Sequence, residues 1–280
     1  MKKIDLSNEI YRNRMLEFLY KDEMYNTNMI ELVECFKDEI GEFYINEEEG
    51  KITEFIHMKD DGNSIFTSFK FSYENGIKDI ANIIRTKQSE GKSKILLGGR
   101  LDNVHALLKE LGDNRECVEN IIFGLNEDKF NELRLKEHCS MREVTYEDKD
   151  LKIVKKYTVE FFGAETQEEF EKITSEDKII PKITRGMFFL VQEEGEQENI
   201  IGMARFYGKT ENYIEITSVY IDKDYRGRGF GKELIYKMIK EILRRGKTPI
   251  LETSTKNIPA IKLYKSMGFV ERDKYAFEFV

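Results

Sequence analysis

Residues 213–232 read YIEITSVYIDKDYRGRGFGK: an apolar run, a short acidic turn and a basic loop rich in glycine. The run alternates apolar with polar residues in the manner of a strand. Arg226, Gly227, Arg228, Gly229, Phe230, Gly231 and Lys232 then lead into an amphipathic helix expected over 231–245. Glycine accepts positive φ at little steric cost, so successive amide N–H groups can turn into one concavity. The start of the helix adds unpaired donors and the positive end of its dipole. An anion is therefore expected there, with Arg226, Arg228 and Lys232 as countercharge; hydrogen bonds to charged groups contribute roughly 1.5–3 kcal/mol each. The loop lacks the Gly-Lys-Ser/Thr ending of a nucleotide P-loop and comes late in a βαβ unit, which disfavours nucleotide hydrolysis and dinucleotide binding. Taken alone, Gly-x-Gly before a helix is also an ordinary tight turn.

Working outward, a strand is expected over 249–253, a helix over 258–267 and a last strand over 269–279. Upstream lie helices at 151–162 and 168–174 and strands at 187–192, 200–208 and 213–221. The first half has the same order. Helices are expected over 9–20 and 28–40, strands over 42–46, 51–58 and 64–72, a helix through 77–84, a strand over 94–97, a helix over 103–111 and a strand over 117–125. Residues 76–96 lie over 231–251 without a gap at a constant offset of 155 (231 − 76), with Gly, Ile, Ile, Gly, Lys, Ile and Leu coinciding. Two amphipathic helices leading to a strand share apolar spacing without common origin, but the ungapped match favours duplication. The expectation is two domains, 1–135 and 136–280, parted within the polar stretch 131–140.

The chain has 280 residues and a net charge of −8, from 45 Lys plus Arg against 53 Asp plus Glu. The charges are interspersed, which argues for solubility and against nucleic acid as main partner. Cys35, Cys117 and Cys139, with only His57, His105 and His138, suggest neither a disulfide framework nor a metal site. The first 20 residues are charged throughout and no apolar run reaches membrane-spanning length, so a cytoplasmic protein without membrane contact is expected.

The loop resembles that of the GNAT superfamily of acyl-CoA-dependent N-acetyltransferases, which reads Gln/Arg-x-x-Gly-x-Gly/Ala and fits Arg226, Gly229 and Gly231. A second family pattern, Asn-x-x-Ala-x-x-Leu-Tyr-x-x-x-Gly-Phe, fits Asn257, Ala260, Leu263, Tyr264, Gly268 and Phe269. The resemblance covers about half the chain. It implies tandem α+β GNAT-like domains, each a mixed, mostly antiparallel sheet flanked by helices, with acetyl-CoA as cofactor and no metal. It further implies that strands 213–221 and 249–253 splay to admit the pantetheine arm, which pairs with main-chain groups of Val219 and Ile221, while the pyrophosphate rests on residues 226–232. Asn257 would bind the cofactor's polar arm, or be a plain N-cap.

Direct acetyl transfer needs an unprotonated amine, a stabilised oxyanion and a proton for the leaving thiolate. The resemblance implies Glu215 as base, eleven residues before Arg226 (226 − 215); the alternative is a Glu215 that only alternates outward on a half-exposed strand. Glu252 is the reserve base. Tyr264 would donate to the leaving sulfur, its ring otherwise being helix packing, and a main-chain N–H near Val219 and Tyr220 would hold the oxyanion. In the first half only Gly76 survives from the loop, and Glu74 would oppose a phosphate, so this half is expected to keep the fold without strong acetyl-CoA binding. Asp102 to Ala106 only faintly echo the second pattern, leaving His105 to cap or pack. The acceptor is expected to be a small-molecule amine or a peptide, with an acidic surface attracting amines; a CoA-binding sensor without turnover and a protein acetyltransferase are the competing functions. The sequence is silent on oligomeric state.

Overall fold

The computed structural model describes residues 1–35, 40–72, 74–91, 94–194 and 197–280. Contacts divide the chain into two compact units. The first comprises Met1–Ile122, Thr253–Asn257 and Glu271–Val280; the second comprises Phe123–Glu252 and Ile258–Val270.

The first unit runs β1 (Lys2–Ile4), α1 (Glu9–Tyr20), α2 (Thr27–Glu34), β2 (Glu42–Glu48), β3 (Lys51–Asp60), β4 (Ile65–Lys70), α3 (Glu74–Ser89), β5 (Ile95–Arg100), α4 (Leu101–Glu110) and β6 (Val118–Leu125). The strands β1 to β4 form an antiparallel meander, and β5 then lies parallel to β4, from Ile65↔Ile95 to Ser68↔Gly98. Apolar residues of α3 and α4 (Ile80, Ile84, Val104, Leu107) close over Ile56, Ile95 and Leu97, all buried. The end of the helix expected over 28–40 falls on residues 36–39, outside the described residues. His105 is exposed in the middle of α4, where it neither caps nor packs.

The second unit continues with α5 (Glu127–Asn131), β7 (Ser140–Glu143), α6 (Asp148–Phe162), α7 (Gln167–Thr174), α8 (Glu176–Gly186), β8 (Met187–Glu194), β9 (Gln197–Tyr207), β10 (Tyr213–Ile221), α9 (Phe230–Arg244), β11 (Thr248–Ser254), α10 (Ile258–Ser266) and β12 (Phe269–Phe279). Again a meander, β7 to β10, is followed by a parallel neighbour, β11. Leu234, Ile235, Met238, Ile239 and Ile242 make a helical stripe on α9 and are fully buried. Burying each such side chain contributes roughly 1.5–3 kcal/mol. The helix stops at Gly246, whose φ of +70° permits a closing turn in which Lys247 N donates to Ile242 O at 3.2 Å. The other sheet face is covered by α6 and α8, with Val154, Tyr157, Ile179 and Ile183 packed on Met187, Phe189, Met203 and Tyr220.

The protein is thus α+β, with the same element order twice. The compact units, however, do not part at 135/136. The stretch 131–140 lies inside the second unit, where Phe130 anchors α5 and β7 pairs with β8. The final strand is also shared out: Phe269 and Val270 count with the second unit, while Glu271–Val280 completes the first by pairing antiparallel with β5, from Tyr275↔Arg100 to Phe279↔Leu96. No helix among the described residues is long and apolar enough to cross a membrane.

Candidate functional site

In β10 the residues Ile214 and Ile216 are buried, and Glu215 and Thr217 lie half-buried on the opposite face. Antiparallel pairing places Glu215 opposite Tyr207 and Thr217 opposite Arg205, and directly opposed residues share a face. That face is the one covered by α6 and α8, because Arg205 is in turn opposite Met187. The ladder then breaks between Thr217 and Tyr220. Ser218 takes a φ of +51°, unusual for a residue with a side chain, and its Oγ accepts from Arg205 Nε at 3.0 Å. The bulge turns Tyr220 onto the α6 face, where its ring packs against Tyr157 and its hydroxyl donates to Glu160. Burial and the Glu160 contact push the Tyr220 phenol up to about 12.

On the other side β10 pairs with β11 from Tyr213↔Thr248 only to Ile216↔Leu251, although β10 continues to Ile221 and β11 to Ser254. Two parallel strands that stop pairing halfway leave β10 without a β11 partner beyond Ile216, through Val219, Tyr220 and Ile221.

The loop follows. Arg226 Nε donates to Ile221 O at 2.9 Å, and its guanidinium lies 5.2 Å from the Tyr220 ring centroid. Gly227 and Gly229 have φ of +76° and +89°, and Gly229 is the N-cap of α9. None of the amide N–H groups of residues 227–231 donates to an acceptor among the described residues. No carboxylate pairs with Arg226, Arg228 or Lys232 among those residues either, and all three are exposed. Five free amides, two left-handed glycines and three cations at one helix start fit a diphosphate. At Gly231 a Cβ would stand 3.5 Å from Leu263 Cδ2 and 3.9 Å from Ile221 Cγ1, so this position brings loop, strand end and α10 together.

Tyr264 follows Leu263 on α10. Its ring is buried between Phe123 and Phe269, at centroid distances of 6.2 and 6.1 Å, and burial pushes its phenol up to about 12. The hydroxyl has no hydrogen-bond partner among the described residues. Glu252 is half-buried in β11. Asn257 is exposed before α10, its N–H donating to Ser254 O at 2.9 Å, and it counts with the first unit. Cys139 is buried, with burial pushing its thiol up to about 11. Sequence reasoning missed Ser218, Arg205 and Tyr207, because nothing in a continuous alternation marks a bulge.

The corresponding place in the first unit is filled by the chain itself. Glu54, 3% exposed, accepts from Ser72 N at 3.3 Å and from Asn46 Nδ2 at 2.8 Å, and a Cβ on Gly76 would overlap its carboxylate. Tyr73 and the Glu74 side chain lie outside the described residues.

A bulged strand, a parallel neighbour that stops pairing with it halfway and an open, glycine-rich helix start together give the fold of the N-acetyltransferase class. Residues 151–269 match the model of the acetyltransferase (GNAT) family. An uncharacterized N-acetyltransferase of Methanocaldococcus jannaschii is 40% identical over 60 residues, covering 21% of this chain and 26% of that protein. A histone acetyltransferase of Glycine max is 35% identical over 77 residues, 28% of this chain and 32% of that protein. The matched part thus spans between about a quarter and a third of these relatives' lengths. A solved tandem GNAT protein from the clavulanic acid biosynthesis pathway has the same fold over 99% of this chain and 97% of its own, at a TM-score of 0.71 and 11% identity. The chain has a tandem GNAT fold, and the family model matches within its second half.

Proposed function

We propose that the second unit is an N-acetyltransferase that takes the acetyl group of acetyl-CoA to a primary amine of a small molecule. The observation that carries this is the α9 start, where five free amides and three unpaired cations stand at the open end of the β10 and β11 strands. Acetyl-CoA supplies an activated thioester carbonyl. Residues 226–232 hold its diphosphate, and main-chain groups of Val219 and Ile221 hold the arm between the strands. A main-chain N–H at Val219 or Tyr220 meets the carbonyl oxygen as it gains charge. Glu215 takes a proton from the incoming ammonium, directly or through water, so that the nitrogen lone pair is free to form the new C–N bond. The thioester C–S bond breaks, and the Tyr264 hydroxyl faces the departing sulfur. With its phenol at about 12, Tyr264 stays protonated at neutral pH, and it stabilises the thiolate as a hydrogen-bond donor more than by full proton transfer.

The test is release of free thiol from acetyl-CoA over a panel of amines, alongside Glu215→Gln and Tyr264→Phe. Glu215→Gln lowers kcat at least tenfold, equivalent to about 1.4 kcal/mol, while binding of acetyl-CoA persists. Tyr264→Phe lowers kcat with a smaller change in KM. Tight binding of acetyl-CoA without release on any amine or peptide replaces this reading with a CoA-binding sensor. Release on histone-type peptides alone moves the acceptor to protein.

A further inference from the structure

Several cations stand on the face of the sheet that carries Glu215. The Arg205 guanidinium lies 5.1 Å from the centroid of the Tyr207 ring, and the Arg185 guanidinium, from the last turn of α8, lies 5.6 Å from the same ring. Tyr207 is the residue directly opposite Glu215. Lys182 precedes Arg185 by three positions, on the same side of α8, and its ammonium lies 5.7 Å from the Phe162 ring. Lys182 is half-buried, and its pKa is lowered by burial and then by Arg205 and Lys178. No carboxylate pairs with it among the described residues.

Part of this has a structural cause. A cation at the end of α8 is favoured by the helix dipole, and aromatic rings attract guanidinium groups, which accounts for Arg185. Lys182 also stands against a ring, that of Phe162, but it is half-buried beside Arg205 with no carboxylate paired to it among the described residues, so its charge is offset less than that of Arg185. An anion seated among these side chains would offset the remainder. All of them stand on the α6 and α8 face that also carries Glu215, whereas the cations at the α9 start belong to the cofactor loop.

We infer that the acceptor amine carries an anionic group, a carboxylate or a phosphate, which Arg205, Lys182 and Arg185 hold so that the amine reaches Glu215. The amine half of this rests on the acetyl-transfer reading above; the anion half rests on the cation cluster alone.

The experiment uses the full chain and matched probes: phenylalanine, its amide and phenethylamine for a carboxylate, and phosphoethanolamine with ethanolamine for a phosphate. Thiol release gives kcat/KM for each, and calorimetry in the presence of CoA gives binding without turnover. The expected result is at least a tenfold preference for one anionic probe over its neutral counterpart, collapsing in Lys182→Gln and reversing in Lys182→Glu, with acetyl-CoA affinity unchanged. Turnover that favours neutral or cationic probes overturns the inference and leaves acetyl transfer standing. Anion-selective binding without turnover does the reverse. Loss of Lys182 that weakens all probes equally shows a structural lysine and also overturns it.

Discussion

The glycines of the loop stand there for different reasons, and each reason predicts its own variant. Gly229 has a φ of +89° with nothing near its missing Cβ, so Gly229→Ala meets only backbone strain, about 1–2 kcal/mol. That strain turns amides away, and acetyl-CoA affinity should fall at least tenfold by calorimetry. Gly231 lacks that constraint, and an added methyl would make ordinary contacts with Leu263 and Ile221. Gly231→Ala should leave the thermal midpoint within a degree or two, in keeping with a family pattern that accepts alanine there; a large drop would show the packing to be tighter than described. A different residue sets a pH limit on the first unit. His57 is 6% exposed, contacts Ile40 O at 2.6 Å and is held at about 4 by burial. The unfolded chain, with an imidazole near 6.5, binds the extra proton first. Stability is therefore lost as pH falls from about 6.5 towards 4, by up to roughly 3 kcal/mol. Urea unfolding of His57→Phe should show a flatter profile over that window than wild type, even though the variant is less stable at pH 7.

At the scale of elements, legibility followed the number of partners that an element buries against. The strand β10, whose burial alternates along its length, and the helix α1, which buries Met15, Phe18 and Leu19, fall where the sequence places them. The strands β1 and β7 were illegible, being short and polar (KKI and SMRE) and each paired on one side only, to β2 and β8. An edge strand has only one ladder to fill and is often polar for that reason. The helix α8 was hidden by Pro181 in its interior, a residue that normally argues against a helix. Around the candidate site, the order of loop, β11 and α10 was readable from motif spacing, but the bulge was not, because burial in β10 alternates straight through it. The bulge also carries a prediction. A β-branched residue tolerates positive φ poorly, so Ser218→Val should straighten β10 and weaken acetyl-CoA binding several-fold, while Ser218→Ala loses only the Arg205 contact. Equal affinities for the two variants would show that the bulge does not shape the cofactor arm's path.

Across the whole molecule, the two units share an element order but differ at the helix start that follows the meander. The α3 start receives the Glu54 carboxylate, whereas the α9 start is open, so titration should give one acetyl-CoA per chain. The end of the chain also belongs to the unit that holds its beginning. Ala276 is fully buried within the first unit's core beside Ile95, Leu97 and Val104, and Tyr275–Phe279 pairs along β5. Removing residues 271–280 deletes that ladder and opens the core over β5, leaving buried main-chain groups without partners. Hydrogen exchange should then show lost protection in Ile95–Arg100 and in α4, with α9 and β10 retaining theirs. The opposite pattern, exposed α9 amides over a protected β5, would mean that the last ten residues stabilise the second unit and that the first unit stands without them.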